Sequence, residues 1–101
     1  MNNRLEIARE FADIINSDDI NQIILFGSIA RGEDTEDSDI DILIVSPIAD
    51  DLFEKIISIA SDILLEKEEM ISPHLMTLDY FNKTKNNSFL TNILKEGVVI
   101  G

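Results

Sequence analysis

Ile23–Val45, IILFGSIARGEDTEDSDIDILIV, is the stretch on which the reading of this chain turns. It reads as an apolar strand, a Gly-Ser turn, a short acidic loop and a second strand. Ile23, Ile24, Leu25 and Phe26 form a continuous apolar run, as expected of a fully buried strand. The second strand, about Asp39–Ser46, opens with Asp39 and Asp41. Residues i and i+2 of a strand share a face. The two carboxylates are therefore expected side by side, roughly 6–7 Å apart at the backbone from the strand rise. Like charges placed so repel, and a divalent cation between them removes the objection. Hard oxygen donors suit Mg²⁺, which takes one or two carboxylates together with substrate phosphates. Gly27 permits a tight turn and close backbone approach. Ser28 can cap a short helix over Ile29–Arg31, leaving N–H groups aimed outward for a phosphate. A phosphate cradle and a metal seat on two strands are equipment for handling a nucleoside triphosphate.

The loop Gly32–Ser38, GEDTEDS, reads as a solvated acidic turn. It is not a calcium loop: one starting at Asp37 needs glycine at its sixth position, where Ile42 stands. The link across residues 27–38 is short for a crossover between parallel strands, so antiparallel pairing of the first two strands is expected. Ile40, Ile42 and Ile44 share one face, to meet helices; Asp39, Asp41, Leu43 and Val45 share the other. Pro47 ends the strand.

Upstream, Leu5, Ala8, Phe11, Ala12 and Ile15 recur at helical spacing, predicting an amphipathic helix over about Asn3–Asn16. Downstream, Asp50 or Asp51 is expected to cap a long helix from Leu52 to Leu65. A third strand follows, from Glu69 or Met70 to Met76. Thr77 can cap a short helix over Leu78–Lys83. KTKNN, Lys83–Asn87, is a polar loop, and Ser88 is expected to cap a last helix ending near Gly97. Val98-Val99-Ile100 can add an edge strand. The fold class is α/β or α+β, a small mixed sheet with helices on one face.

The length of 101 residues suits one domain, 1–101. With 20 acidic and 8 basic residues the formal net charge is −12, which argues against direct nucleic-acid binding. It favours a basic protein partner, or a homo-oligomer that covers exposed surface. A nucleoside triphosphate can still bind, since a metal inverts the local charge. No apolar run is long enough for a membrane. MNNRLEIARE has no signal-peptide apolar region. Cysteine is absent, so a cytoplasmic setting is expected.

The pattern Gly27-Ser28, ten residues, Asp39, one residue, Asp41 is similar to the GS-x10-D-x-D signature of the minimal nucleotidyltransferases (MNT) of the polymerase-beta-like superfamily. The resemblance extends to Arg31-Gly32 and Ser38 and runs on weakly through SPHLMTLDYF and SFLTNILKEGVVI. It implies a polymerase-beta-like nucleotidyltransferase fold and transfer of a nucleotidyl group, AMP from ATP, with one or two Mg²⁺ ions. Many members are antitoxins of HEPN–MNT toxin–antitoxin pairs, and some AMPylate the HEPN partner on a tyrosine. On that reading Asp39 and Asp41 are catalytic metal ligands, and Gly27, Ser28, Arg31 and Ser38 are nucleotide-binding candidates. Arg31 can equally pair with the acidic loop, and Ser38 can cap the strand entry. Active members carry a third acid on the next strand. Here that strand reads MISPHLM, with Ser72 or His74 near the expected place and Glu68 and Glu69 only at its start. Two functions follow: a transferase acting on a hydroxyl of a partner, or a weakly active or inactive binding module of the same fold.

Overall fold

A computed structural model describes residues 3–101. Helix α1 (Arg4–Ile15) is started by Asn3, whose side-chain oxygen accepts from Glu6 N–H at 3.2 Å. It buries Ile7, Ala8, Phe11, Ala12 and Ile15, while Leu5, expected in the stripe, is exposed. Ile7 lies one turn before Phe11 and so shares its face. Strand β1 (Gln22–Phe26) leads directly into the single-turn helix α2 (Gly27–Arg31). Strand β2 (Ile40–Val45) begins one residue after Asp39. Helix α3 (Ala49–Lys67) is longer than expected. Asp50 and Asp51 are not its caps but lie in its first turn, where their charge still suits the helix dipole.

Strand β3 (Ile71–Met76) is followed by helix α4 (Leu78–Thr84), capped by Thr77 as expected, and by α5 (Ser88–Glu96). The cap of α5 is Asn87, one residue before the predicted Ser88; its side chain accepts from Leu90 N–H at 3.1 Å. Gly97 ends α5 in an extended conformation. A Cβ there would lie 2.5 Å from Ile93 O and 2.6 Å from Ile24 Cγ2, so close approach selects the glycine. The two-residue strand β4 (Val98–Val99) closes the chain's pairing.

The sheet order is β3-β2-β1-β4. β1 pairs antiparallel with β2 and β4, and β2 runs parallel to β3, so the sheet is mixed. Ile23, Leu25, Ile40, Ile42, Ile44 and Ile71 pack on one face against α1 and α3. Helices are not confined to that face. Ile24, Leu43 and Val45 meet Phe81 of α4 and Leu90 and Ile93 of α5 on the other. The sign was in the sequence: central strands covered on both sides read as unbroken apolar runs, as IILF and ILIV do. The polar side chains Asp41, Ser72 and His74 share this second face, at the end of the sheet where β1 stops and β2 and β3 start.

Candidate active site

Pairing places Asp41 between Phe26 of β1 and Ser72 of β3, and puts His74 beside Leu43. Asp41, Ser72 and His74 thus emerge on one face, as the alternation predicts. The Asp41 carboxylate reaches His74 Nε2 at 3.6 Å through Oδ1, and Ser72 Oγ lies 3.5 Å from the same nitrogen. The His74 ring meets the Phe26 ring at an interplanar angle of 63° and a centroid distance of 5.1 Å.

The other carboxylate oxygen of Asp41 faces Gly27. Gly27 has φ +78°, and a Cβ on it would stand 2.5 Å from Asp41 Oδ2. Only glycine serves twice here, by its left-handed backbone and by leaving that space to the carboxylate. The Gly-Ser corner and the second aspartate, 14 positions apart in sequence, are thereby in contact. Asp39 sits exposed just ahead of β2. Between the two aspartates the Ile40 N–H donates to Met70 O at 2.8 Å, fixing the backbone that carries both.

The remaining predicted residues fall differently. Ser28 does not cap α2: the helix begins at Gly27, two residues before the expected Ile29, with Phe26 at the cap position and no side-chain bond. Arg31 is paired at 3.2 Å with Glu33 of the acidic loop and at 3.6 Å with Glu96 of α5. The Ser38 Oγ accepts from Thr35 N–H at 2.9 Å, holding the loop that delivers Asp39.

Arg4 was not visible as a site residue from the sequence. Its guanidinium donates to the carboxylates of Glu69 (2.9 Å) and Asp34 (3.1 Å) and to the carbonyls of Thr35 (2.5 Å) and Glu36 (2.8 Å). Burial works against its charge, but the bonds and attraction of Glu69, then Asp34, together raise its pKa. Glu69 is thus committed to Arg4, and Glu68 occupies the left-handed residue that ends α3, with φ 56°. The contacts with Arg4 span 30 residues or more, so no local spacing could announce them.

Among the described residues no three His, Cys, Asp or Glu side chains form a ready metal-binding group. The donor set suits a hard cation that uses two carboxylates and completes its shell with phosphate oxygens and water, as Mg²⁺ does. A concavity of about 630 Å³ lies around Arg4, but Asp34, Glu36 and Glu69 line it and none of Gly27, Asp39 or Asp41 does. Its acid walls disfavour a triphosphate. A smaller cleft of about 140 Å³ adjoins the Gly27 corner, between β1, α2 and α5.

A family model described as a nucleotidyltransferase domain matches residues 7–100. Two proteins of Methanocaldococcus jannaschii, both carrying the provisional name protein adenylyltransferase, are similar over nearly their whole length. One is 40% identical across 101 residues, 97% of this chain and 98% of its own. The other is 38% identical across 101 residues, 95% of this chain and 97% of its own. A crystal structure of a toxin–antitoxin with AMP-PNP superposes with a TM-score of 0.63 and 18% identity, over 99% of this chain and 73% of that one. At that identity the likeness speaks for the fold.

Proposed function

Because this chain belongs to the nucleotidyltransferase domain family, we propose that it is a single-domain adenylyltransferase moving AMP from ATP to a hydroxyl on a partner protein. The names of its two relatives support a protein as the acceptor. The structural neighbour, a toxin–antitoxin with AMP-PNP, suits a nucleotide and a protein partner, and the HEPN kind of partner rests on the resemblance carried by the Gly-Ser and Asp-x-Asp motif. The observation that carries the reading is the Asp41 carboxylate lying where a Gly27 Cβ would be. A turn that could carry phosphates and an acid that could carry a metal are joined at one point.

On this reading Asp39 and Asp41 hold Mg²⁺, which when bound neutralises charge on the triphosphate. The Gly27-Ser28 backbone receives phosphate oxygens at the turn. Arg31 is free to shift toward them, since exposed ion pairs such as those with Glu33 and Glu96 are worth only about 0–1 kcal/mol. The acceptor oxygen then forms its bond to the α-phosphorus as the bond to the bridging oxygen breaks. Pyrophosphate leaves with that electron pair, and the hydroxyl proton passes to a nearby carboxylate or to water.

Titration calorimetry with ATP and Mg²⁺ tests the site. Asp39→Asn combined with Asp41→Asn should abolish Mg²⁺-dependent ATP binding with the fold intact; unchanged affinity would remove the assignment. A second reading is favoured by β3, which carries Ser72 and His74 beside Asp41 and no acid within it. There the chain binds nucleotide but transfers slowly until a partner completes the site. Labelled ATP given to the chain with a hydroxyl-bearing peptide of the HEPN-type partner, and separately with the whole partner, distinguishes the two readings: fast transfer to the peptide supports the first, transfer only with the whole partner the second.

A further inference from the structure

The cleft beside Gly27 is lined by Phe26, Gly27, Arg31, Phe89, Asn92 and Glu96. Its α5 wall has a simple origin. Phe89, Asn92 and Glu96 stand at i, i+3 and i+7 and so share one helix face. Leu90 and Ile93, on the adjoining face, are buried and anchor the helix to the sheet. Phe89 is 52% exposed, although it is one of the largest apolar side chains in the chain. A scattered exposed hydrophobic residue needs no explanation. Phe89 is not scattered: its ring meets Phe26 edge-on at 6.2 Å and 86°, and Phe26 in turn meets His74. Three rings therefore run from α5 to the Asp41 carboxylate, with open ring surface at the α5 end.

The size of the cleft narrows what can occupy it. About 140 Å³ is well below the roughly 300–1,000 Å³ of a pocket that swallows a whole drug-sized ligand. It can take one planar ring system, with the rest of the molecule continuing out past Gly27. Asn92 offers an amide donor and acceptor side by side, the pair of groups that reads the edge of a base. Resting on the nucleotide-binding reading above, we infer that this cleft holds the nucleobase of the triphosphate, stacked on Phe89, met edge-on by Phe26 and read at its edge by Asn92.

The experiment compares Mg²⁺-dependent binding of ATP with that of inorganic tripolyphosphate, which has no base. The wild-type chain should bind ATP more tightly. Phe89→Ala should weaken ATP binding by about 5- to 140-fold, the range for loss of one base–aromatic stack, and leave tripolyphosphate binding unchanged. Phe89→Trp should restore ATP affinity. Asn92→Ala should compress the spread of affinities among ATP, GTP, CTP and UTP. Both residues are exposed, and thermal melts of the variants verify that the fold is retained. If the wild type binds ATP and tripolyphosphate equally, or if Phe89→Ala weakens both alike, the base site is overturned while nucleotide binding at Gly27 and Asp41 stands. If neither ligand binds the wild type, the nucleotide-binding reading falls and the base site with it.

Discussion

At the scale of single residues, Gly27 is the position that tolerates least. Alanine there would be held at φ +78°, a left-handed conformation that costs a non-glycine residue about 1–3 kcal/mol, and would press into Asp41 Oδ2. Gly27→Ala should therefore lower the melting midpoint and also weaken Mg²⁺-dependent ATP binding, because the carboxylate has to move. The two effects are separable. Gly32→Ala, at a glycine that also has a positive φ (+71°) but no atom within 4 Å of its would-be Cβ, carries the strain without the collision. If both variants lose ATP affinity equally, the contact with Asp41 has no part in binding. The Gly-Ser and Asp-x-Asp residues were legible in the sequence as a candidate site because their types and spacing suit phosphate and a hard metal. The cleft lining by Phe89 and Asn92 was not, since an aromatic and an amide on an amphipathic helix have no signature until the helix is docked.

Among the elements, the acidic loop between α2 and β2 is the one whose order needs explaining. Four acids in seven residues should repel one another and stay loose. Arg4 instead ties Asp34 and the carbonyls of Thr35 and Glu36 to the first turn of α1 and to Glu69 at the entry of β3. Its side chain and that of Glu69 are each 13% exposed, so water screens this pair only in part. Removing the cation leaves its acceptors without a partner. Arg4→Met should cost about 2–4 kcal/mol in urea denaturation, the range for losing charge-assisted bonds of this kind. It should also raise hydrogen exchange across residues 33–39. An unchanged exchange profile would mean that the loop is ordered by other contacts. Because the pKa of Arg4 is raised, its stabilising charge is fully present below the arginine's ordinary value and is lost only in strong alkali. The clasp is not expected to open as pH rises through the neutral range.

For the whole molecule, the net charge of −12 on 101 residues dominates. Self-repulsion of this size destabilises the compact state and is weakened by salt. The thermal midpoint should rise by several degrees between 0.02 and 0.5 M NaCl, the opposite of what a fold held by surface ion pairs would show. Differential scanning fluorimetry measures it, and a falling midpoint would assign more stability to the ion pairs than proposed. The same charge suits a basic partner. Among the described residues no helix is long and apolar enough to cross a membrane.

Sequence by itself determined the order of strands and helices, the antiparallel pairing of β1 with β2 and a candidate site at the Gly-Ser and aspartate pair. Those follow from periodicity, loop length and residue chemistry, all of which act over a few neighbours. Only the tertiary structure decided which helices cover which face of the sheet, α1 and α3 on one and α4 and α5 on the other. It alone decided that Arg4 clasps a loop 30 residues away and that an aromatic cleft opens beside Gly27. These depend on which surfaces meet when the chain closes on itself. Burial against a distant partner, unlike a turn or a helical stripe, leaves no local trace in the order of the residues.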